Sequence, residues 1–216
     1  MLDRKNPSAT GPDAADITDL VAEALPWLAD SVRESISPFA DRRKAGRVQE
    51  VLNAVIADLR EFASDVSELY VKTPEFKQVL AQVLRQAADE PNDQKRRLYR
   101  AFLADAITSP LEPFEKQMRL LHILKELRLD HLRLLPALTS LPASPSAHAQ
   151  TPLQMLRKEF PDIPRERMSG LLSQLTDLEV VAVSDWTSTA SGNPELLRNS
   201  LTSVGRKLLR YFRLTT

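Results

Sequence analysis

The sequence predicts a mainly α protein: an antiparallel helical bundle followed by a smaller C-terminal unit that adds a small β-hairpin. Three observations predict it. Val48, Leu52, Val55, Leu59, Phe62, Val66 and Leu69 alternate in steps of four and three, a heptad seam that only a helix lines up. Shorter amphipathic stripes lie on either side of this seam, separated by proline-marked turns, as in a bundle of antiparallel neighbours. Glycine is scarce, five in 216 residues, which argues against glycine-rich phosphate loops and strand-rich architectures.

Composition narrows the function classes. Lys and Arg number 29 and so do Asp and Glu, so no strong net field draws the chain to nucleic acid or anionic lipid. There is no cysteine, which removes disulfides and thiol catalysis. The N-terminus lacks a hydrophobic signal core, and no apolar run approaches the ~20 residues that span a bilayer. The expectation is a soluble, cytoplasmic protein. Residues 1–15 are expected to be disordered, 16–128 to form the bundle and 129–216 the second unit, with a flexible loop at 139–150.

In chain order, Ile17, Leu20, Val21 and Ala24 recur at helical spacing, and Leu28, Val32 and Ile36 continue it past Pro26, where a kink or fresh start is expected. Six acids (Asp13, Asp16, Asp19, Glu23, Asp30, Glu34) face one base, Arg33, in this stretch. Trp27 would suit a membrane-surface helix, but such helices are basic on their polar face, so packing against the seam is expected. The seam helix is expected over residues 37–71, roughly 50 Å long, with Ser37 as cap and Pro38 in the first turn. Ile56, Ala63 and Tyr70 widen its apolar face, which suits the centre of an intramolecular bundle better than a coiled-coil dimer. Arg42, Arg43, Lys44 and Arg47 read as a solvated face neutralised by the acidic helix before it. Further helices bury Phe76, Val79, Leu80, Val83, Leu84 and Ala87; then Leu98, Phe102, Leu103, Ala106 and Ile107, with Lys95, Arg96, Arg97 and Arg100 mostly outward; then Phe114, Met118, Leu121, Leu124 and Leu127.

From Asp130 the pattern changes. A short helix carries Leu132, Leu134, Leu135 and Leu138. After the Ser-, Pro- and Ala-rich loop, Thr151-Pro152 caps a helix with Leu153, Leu156 and Phe160. A turn leads to a second helix, from about Pro164 to Leu178, burying Met168, Leu171, Leu172 and Leu175. A strand follows over Val180, Val181, Ala182 and Val183, then a loop, then Leu201-Thr202-Ser203-Val204-Gly205-Arg206 and a final helix with Leu208, Leu209 and Phe212.

This order resembles the winged helix-turn-helix fold over residues 129–214. The Leu-Thr-x-x-Gly-Arg segment is similar to the one leading into the last helix of MarR- and PadR-like bacterial regulators. The chain departs from that pattern at Glu179, where many members have glycine, and in the long loop at 139–150. The resemblance implies a partner met by the second helix of the turn, usually DNA in its major groove. The outward arc of that helix here is Glu166, Ser169, Gly170, Ser173 and Asp177, with Arg165 on a flank and Arg167 near the buried edge. Two acids on this arc oppose phosphate contact. The wing and last helix offer Arg198, Arg206, Lys207, Arg210 and Arg213. From Gln150 onward nine bases meet seven acids, weak for a DNA-binding domain. The candidate macromolecule-binding residues are therefore Arg165, Ser169, Ser173, Arg198, Arg206, Lys207 and Arg210.

The expected function is a non-enzymatic bacterial scaffold or regulator whose tail docks a protein, a second copy included. A nucleic-acid-binding transcriptional regulator is the alternative. The order of parts is also vaguely similar to abortive-infection-type helical proteins, which makes a phage-defence component a third reading. No cofactor, metal or small-molecule substrate is expected. His122, His131 and His148 are the only histidines and do not share zinc-ligand spacing. His122 and Glu126 are spaced to pair on a helix. No glycine-flanked nucleophile turn occurs.

Overall fold

The computed structural model describes residues 14–24, 26–36, 41–61, 68–108, 112–140, 151–183, 185–187 and 199–214. The protein is mainly helical and divides between Lys125 and Glu126 into two compact units. No helix among the described residues is long and apolar enough to cross a membrane.

The first unit contains α1 (Ala14–Ala24), α2 (Pro26–Ile36), α3 (Arg42–Glu61), α4 (Glu68–Val71), α5 (Pro74–Asp89), α6 (Asp93–Thr108) and α7 (Phe114–Glu126). Ala14 and Ala15 are helical, where disorder was expected. Pro26 opens α2, because its fixed φ and missing N–H suit a first helical position. The expected start of the long helix at Ser37 and Pro38 lies outside the described residues. Within them, Asp41 caps α3 by accepting from the Arg43 N–H at 2.8 Å. Phe62, Ala63 and Val66 are also outside them, as are the side chains of Leu59 and Leu69.

On α3, Ala45, Val48, Val51, Leu52, Val55 and Ile56 are buried. That face is wider than a two-position seam, as a helix with several neighbours requires. It packs against α1, α5 and α6, while α5 packs against α2, α3, α4 and α6. The centre is thus shared by α3 and α5. Thr73 caps α5, its hydroxyl accepting from the Phe76 N–H.

Charged side chains rail these helices together. Arg100 grips Asp58 with two nitrogens, at 2.8 and 2.5 Å. Arg96 bonds Glu50 and the Pro91 carbonyl, and its side chain is only 12% exposed, so the expectation of an outward Arg96 is corrected. Lys95 is equally enclosed, against Glu90 and the Lys125 carbonyl at 2.6 Å. Lys44 pairs with Asp89 on α5 at 2.6 Å rather than with the acidic helices. On α7 the buried residues include Gln117, Leu120 and Ile123, whereas Phe114 and Met118 are half-buried. Gln117 is tolerated inside because the Tyr70 hydroxyl donates to its Oε1 at 2.7 Å and its Nε2 donates to the Glu112 carbonyl, leaving neither polar end unsatisfied.

The second unit contains α8 (Leu129–Ser140), α9 (Pro152–Glu159), α10 (Arg165–Asp177) and α11 (Ser203–Leu214). α8 is the hub: α9, α10 and α11 all pack on it. It runs on through Thr139 and Ser140, which were expected in the loop; their hydroxyls donate back to the Pro136 carbonyl. Residues 141–150 lie outside the described set. His131 is fully buried in α8, and its Nδ1 accepts from the Arg128 N–H at 2.9 Å, closing the helix start.

The strand expected over 180–183 is reduced. Among the described residues β pairing consists of one antiparallel bridge, Val181 to Leu201, flanked by Ala182 N–H to Ser200 carbonyl at 2.7 Å and Thr202 N–H to Val180 carbonyl at 3.1 Å. Beyond Ala182 the chain satisfies its backbone on helices instead. Thr176 Oγ1 donates to the Val183 carbonyl at 2.8 Å. The Leu153 N–H donates to the Trp186 carbonyl, and buried Trp186 donates its indole N–H to Thr176 Oγ1.

Candidate docking face of the C-terminal unit

α10 is set by what ends it. Leu178 caps the helix and Glu179 follows with φ 56°, the left-handed region that favours glycine. The Glu179 N–H donates to Thr176 and the Val180 N–H to Leu175, the paired bonds of a Schellman turn with Glu179 in the position glycine commonly holds. Leu175 and Val180 are both fully buried, supplying the apolar contact of that turn.

The turn feeds the Leu-Thr-x-x-Gly-Arg segment, and each residue there has a structural task. Leu201 makes the bridge. Thr202 Oγ1 donates to the Glu179 carbonyl at 2.6 Å and accepts from the Gly205 N–H at 3.1 Å, capping α11. A Cβ on Gly205 would lie 2.2 Å from the Val180 carbonyl oxygen, so only glycine lets α11 approach. Arg206 donates to the Leu201 carbonyl at 2.6 Å.

A charged cluster fixes the other end of α10. Arg133 is bidentate on Asp162, at 2.7 and 3.2 Å, and lies 5.3 Å from the Phe160 ring centroid. The hydrogen bond from Arg133 holds the Asp162 carboxyl below its usual range, and the same bond raises Arg133. Arg167 pairs with Asp130 of α8; its side chain is exposed rather than at a buried edge.

With both ends pinned, α10 turns Met168, Leu171, Leu172 and Leu175 inward. Glu166, Gly170, Ser173 and Asp177 are exposed and Ser169 is half-buried. Arg165 is exposed at the first position. Two features of this face work against the helix that carries it. A Cβ on Gly170 would meet nothing within 4 Å, so no packing requires glycine there, and an exposed helix-interior glycine costs about 1 kcal/mol relative to alanine. Asp177 ends the helix, where the dipole is negative and a carboxylate is disfavoured by about 0.3–1 kcal/mol. Neither Glu166 nor Asp177 has an ion-pair partner among the described residues.

α11 presents the opposite sign. Arg206, Arg210 and Arg213 are exposed, Lys207 is half-buried, and the helix contains no acid. Arg210 lies 5.9 Å from the Tyr211 ring centroid. Arg198 lies outside the described residues. Of the other expected binding residues, Arg165, Ser169 and Ser173 share α10, and Arg206, Lys207 and Arg210 share α11. Exposed Arg157 and Lys158 in the last turn of α9 were not among them, although basic residues at a helix end are visible in sequence. Among the described residues no group of three or more His, Asp or Glu is placed to hold a metal ion. Comparison of the chain with family models, with curated proteins and with solved structures found no match.

Proposed function

We propose that this protein is a non-enzymatic cytoplasmic scaffold or regulator whose C-terminal unit is a winged-helix-like docking module. The outward face of α10, Glu166 to Asp177, binds a protein. The observation that carries this reading is the conjunction of Gly170 and Asp177, two choices on one exposed face that weaken the helix and serve nothing inside the fold. Local rules broken without internal compensation mark functional surfaces. The helix order, the single bridge at Val181 and the Thr202–Gly205 junction support the winged-helix-like reading, with the hairpin as its wing.

The reading is tested on the protein alone. Gly170→Ala and Asp177→Asn should each raise stability, by roughly 0.5–1 and 0.3–1 kcal/mol respectively, measured by urea unfolding. Loss of stability in both would show that the face serves the fold. A nucleic-acid reading is favoured by the acid-free α11 and by exposed Arg157, Lys158 and Arg165. It requires binding to random duplex DNA that falls steeply with salt and weakens when Arg206, Lys207 and Arg210 are reversed together. No binding at low salt removes it.

A further inference from the structure

A histidine closes the first turn of α8. The backbone N–H groups at a helix start have no partner within the helix. Here the Arg128 N–H, just before the helix, donates to Nδ1 of His131 at 2.9 Å. α9 closes its start over the same three-residue span, with Gln154 Oε1 accepting from the Thr151 N–H at 2.9 Å. The two bonds match in reach and differ in chemistry. An amide oxygen accepts at every ordinary pH, whereas an imidazole nitrogen stops accepting once it carries a proton. His131 is 0% exposed, so solvent does not stand by to replace the bond.

We propose that His131 is an acid-operated latch: a proton on Nδ1 removes the acceptor for the Arg128 N–H and opens the first turn of α8. The surroundings set the direction. A cation in the first turn meets the positive end of the helix dipole, and burial opposes the charged form of the ring. The carboxylate next to His131 on α8 is Asp130, which Arg167 of α10 already engages and Arg133 approaches to 3.9 Å. Arg133 in turn holds Asp162. On the helices packed against α8, the carboxylates Glu159, Glu166 and Asp177 are exposed, and α11 contains no acid. The cations there, Arg157, Lys158, Arg165, Arg206, Arg210 and Arg213, are exposed as well, Lys207 is half-buried, and Tyr211 is buried. The unfolded chain protonates His131 as pH falls through about 6.5. The folded chain does so only by giving up the Arg128 bond. The unfolded state therefore binds more protons in this range, and stability falls as pH falls. Asp130 sits in the same turn, so opening it also slackens the tie to Arg167 at the start of α10. The latch stands whatever the α10 face binds.

The test is urea unfolding of the full chain at about pH 7.5 and about pH 5.5, with His131→Gln beside the wild type. One proton bound by the unfolded state alone lowers the folding equilibrium constant about tenfold over this interval, which lies above the range where carboxylates titrate. Glutamine at this position of a helix start keeps an acceptor for the Arg128 N–H and carries no titrating nitrogen. The wild type should therefore lose about ten times more of its folding constant than the variant does. His122 and His148 are present in both proteins, so the comparison isolates His131. Equal pH dependence in the two overturns the latch. If the variant does not fold, nitrogen-15 NMR of the wild-type imidazoles decides, read together with hydrogen exchange at the Arg128 amide. His131 should keep an unprotonated Nδ1 wherever that amide is protected. A doubly protonated His131 beside a protected Arg128 amide overturns the latch as well.

Discussion

Glu179 and Gly205 exchange the roles that residue preference assigns. Glu179 holds a left-handed conformation at φ 56°, which disfavours any side chain with a Cβ by about 1–2 kcal/mol. Replacing it with glycine is expected to stabilise the second unit by roughly 0.5–1 kcal/mol, after the greater freedom of glycine in the unfolded chain is subtracted, as a shift in the urea midpoint. Gly205 is the reverse case. Gly205→Ala drives a methyl into the Val180 carbonyl oxygen at 2.2 Å and is expected to cost at least about 1–3 kcal/mol, the range for overpacking, with loss of cooperativity in the thermal melt. The departure from the winged-helix pattern at Glu179 was therefore legible in the sequence as an anomaly, but its sign became physical only when the Schellman bonds placed it. Gly170 was legible as exposed, and its lack of any packing duty was not.

Elements with a strong single period were the readable ones. The α5 stripe from Phe76 to Ala87 is buried as its spacing predicts, because six apolar side chains at helical steps have one way to leave water. On α7 the expected Leu121 and Leu124 are buried, as is Leu127 just after it, but the first turns are not as the spacing reads: buried Gln117 depends on Tyr70, 47 residues away, and no local pattern carries that. The strand over 180–183 shortened for the same kind of reason: the Val183 carbonyl accepts from Thr176 of α10, and just beyond it the Trp186 carbonyl accepts from Leu153 of α9. Two tests belong at this scale. Arg100→Ala should cost no more than about 1 kcal/mol, since the Asp58 pair is bidentate yet a third exposed, which screens it. Arg133 holds the Asp162 carboxyl below its ordinary value. A depressed carboxylate stabilises the fold above its unfolded value of about 3.9 and loses that contribution as pH falls through the folded value. Wild type should therefore be more stable than Asp162→Asn at pH 7, and the difference should close below pH ~4.

For the whole molecule, the chain divides between Lys125 and Glu126 into two compact units, and each has its own buried residues, Phe76 and Tyr99 in the first and Leu172 and Tyr211 in the second. Residues 126–214 expressed alone are expected to keep a helical circular dichroism spectrum and a cooperative melt; a broad, non-cooperative melt would show that the unit depends on the first. The charge balance of 29 against 29 hides the arrangement that matters here. Acids end the α10 face and cations line α11, so a net charge near zero coexists with two faces of opposite sign in one unit.

The hydrogen bonds from Thr202 to Glu179 and Val180 close a segment of more than twenty residues, with a consequence for the order of folding. Loop closure costs entropy before the contacts it enables repay it. The α8–α10 helices can associate through shorter connections, whereas α11 can settle only once the Schellman turn has positioned the Val180 carbonyl. Docking of α11 is therefore expected to be a late event, made after the rate-limiting barrier. Thr202→Ala should accelerate unfolding while leaving the refolding rate nearly unchanged, the signature of a contact absent from the transition state. The amides of Gly205 and Arg206 should exchange with solvent ahead of those in the middle of α10, because the last helix to arrive is the first to leave.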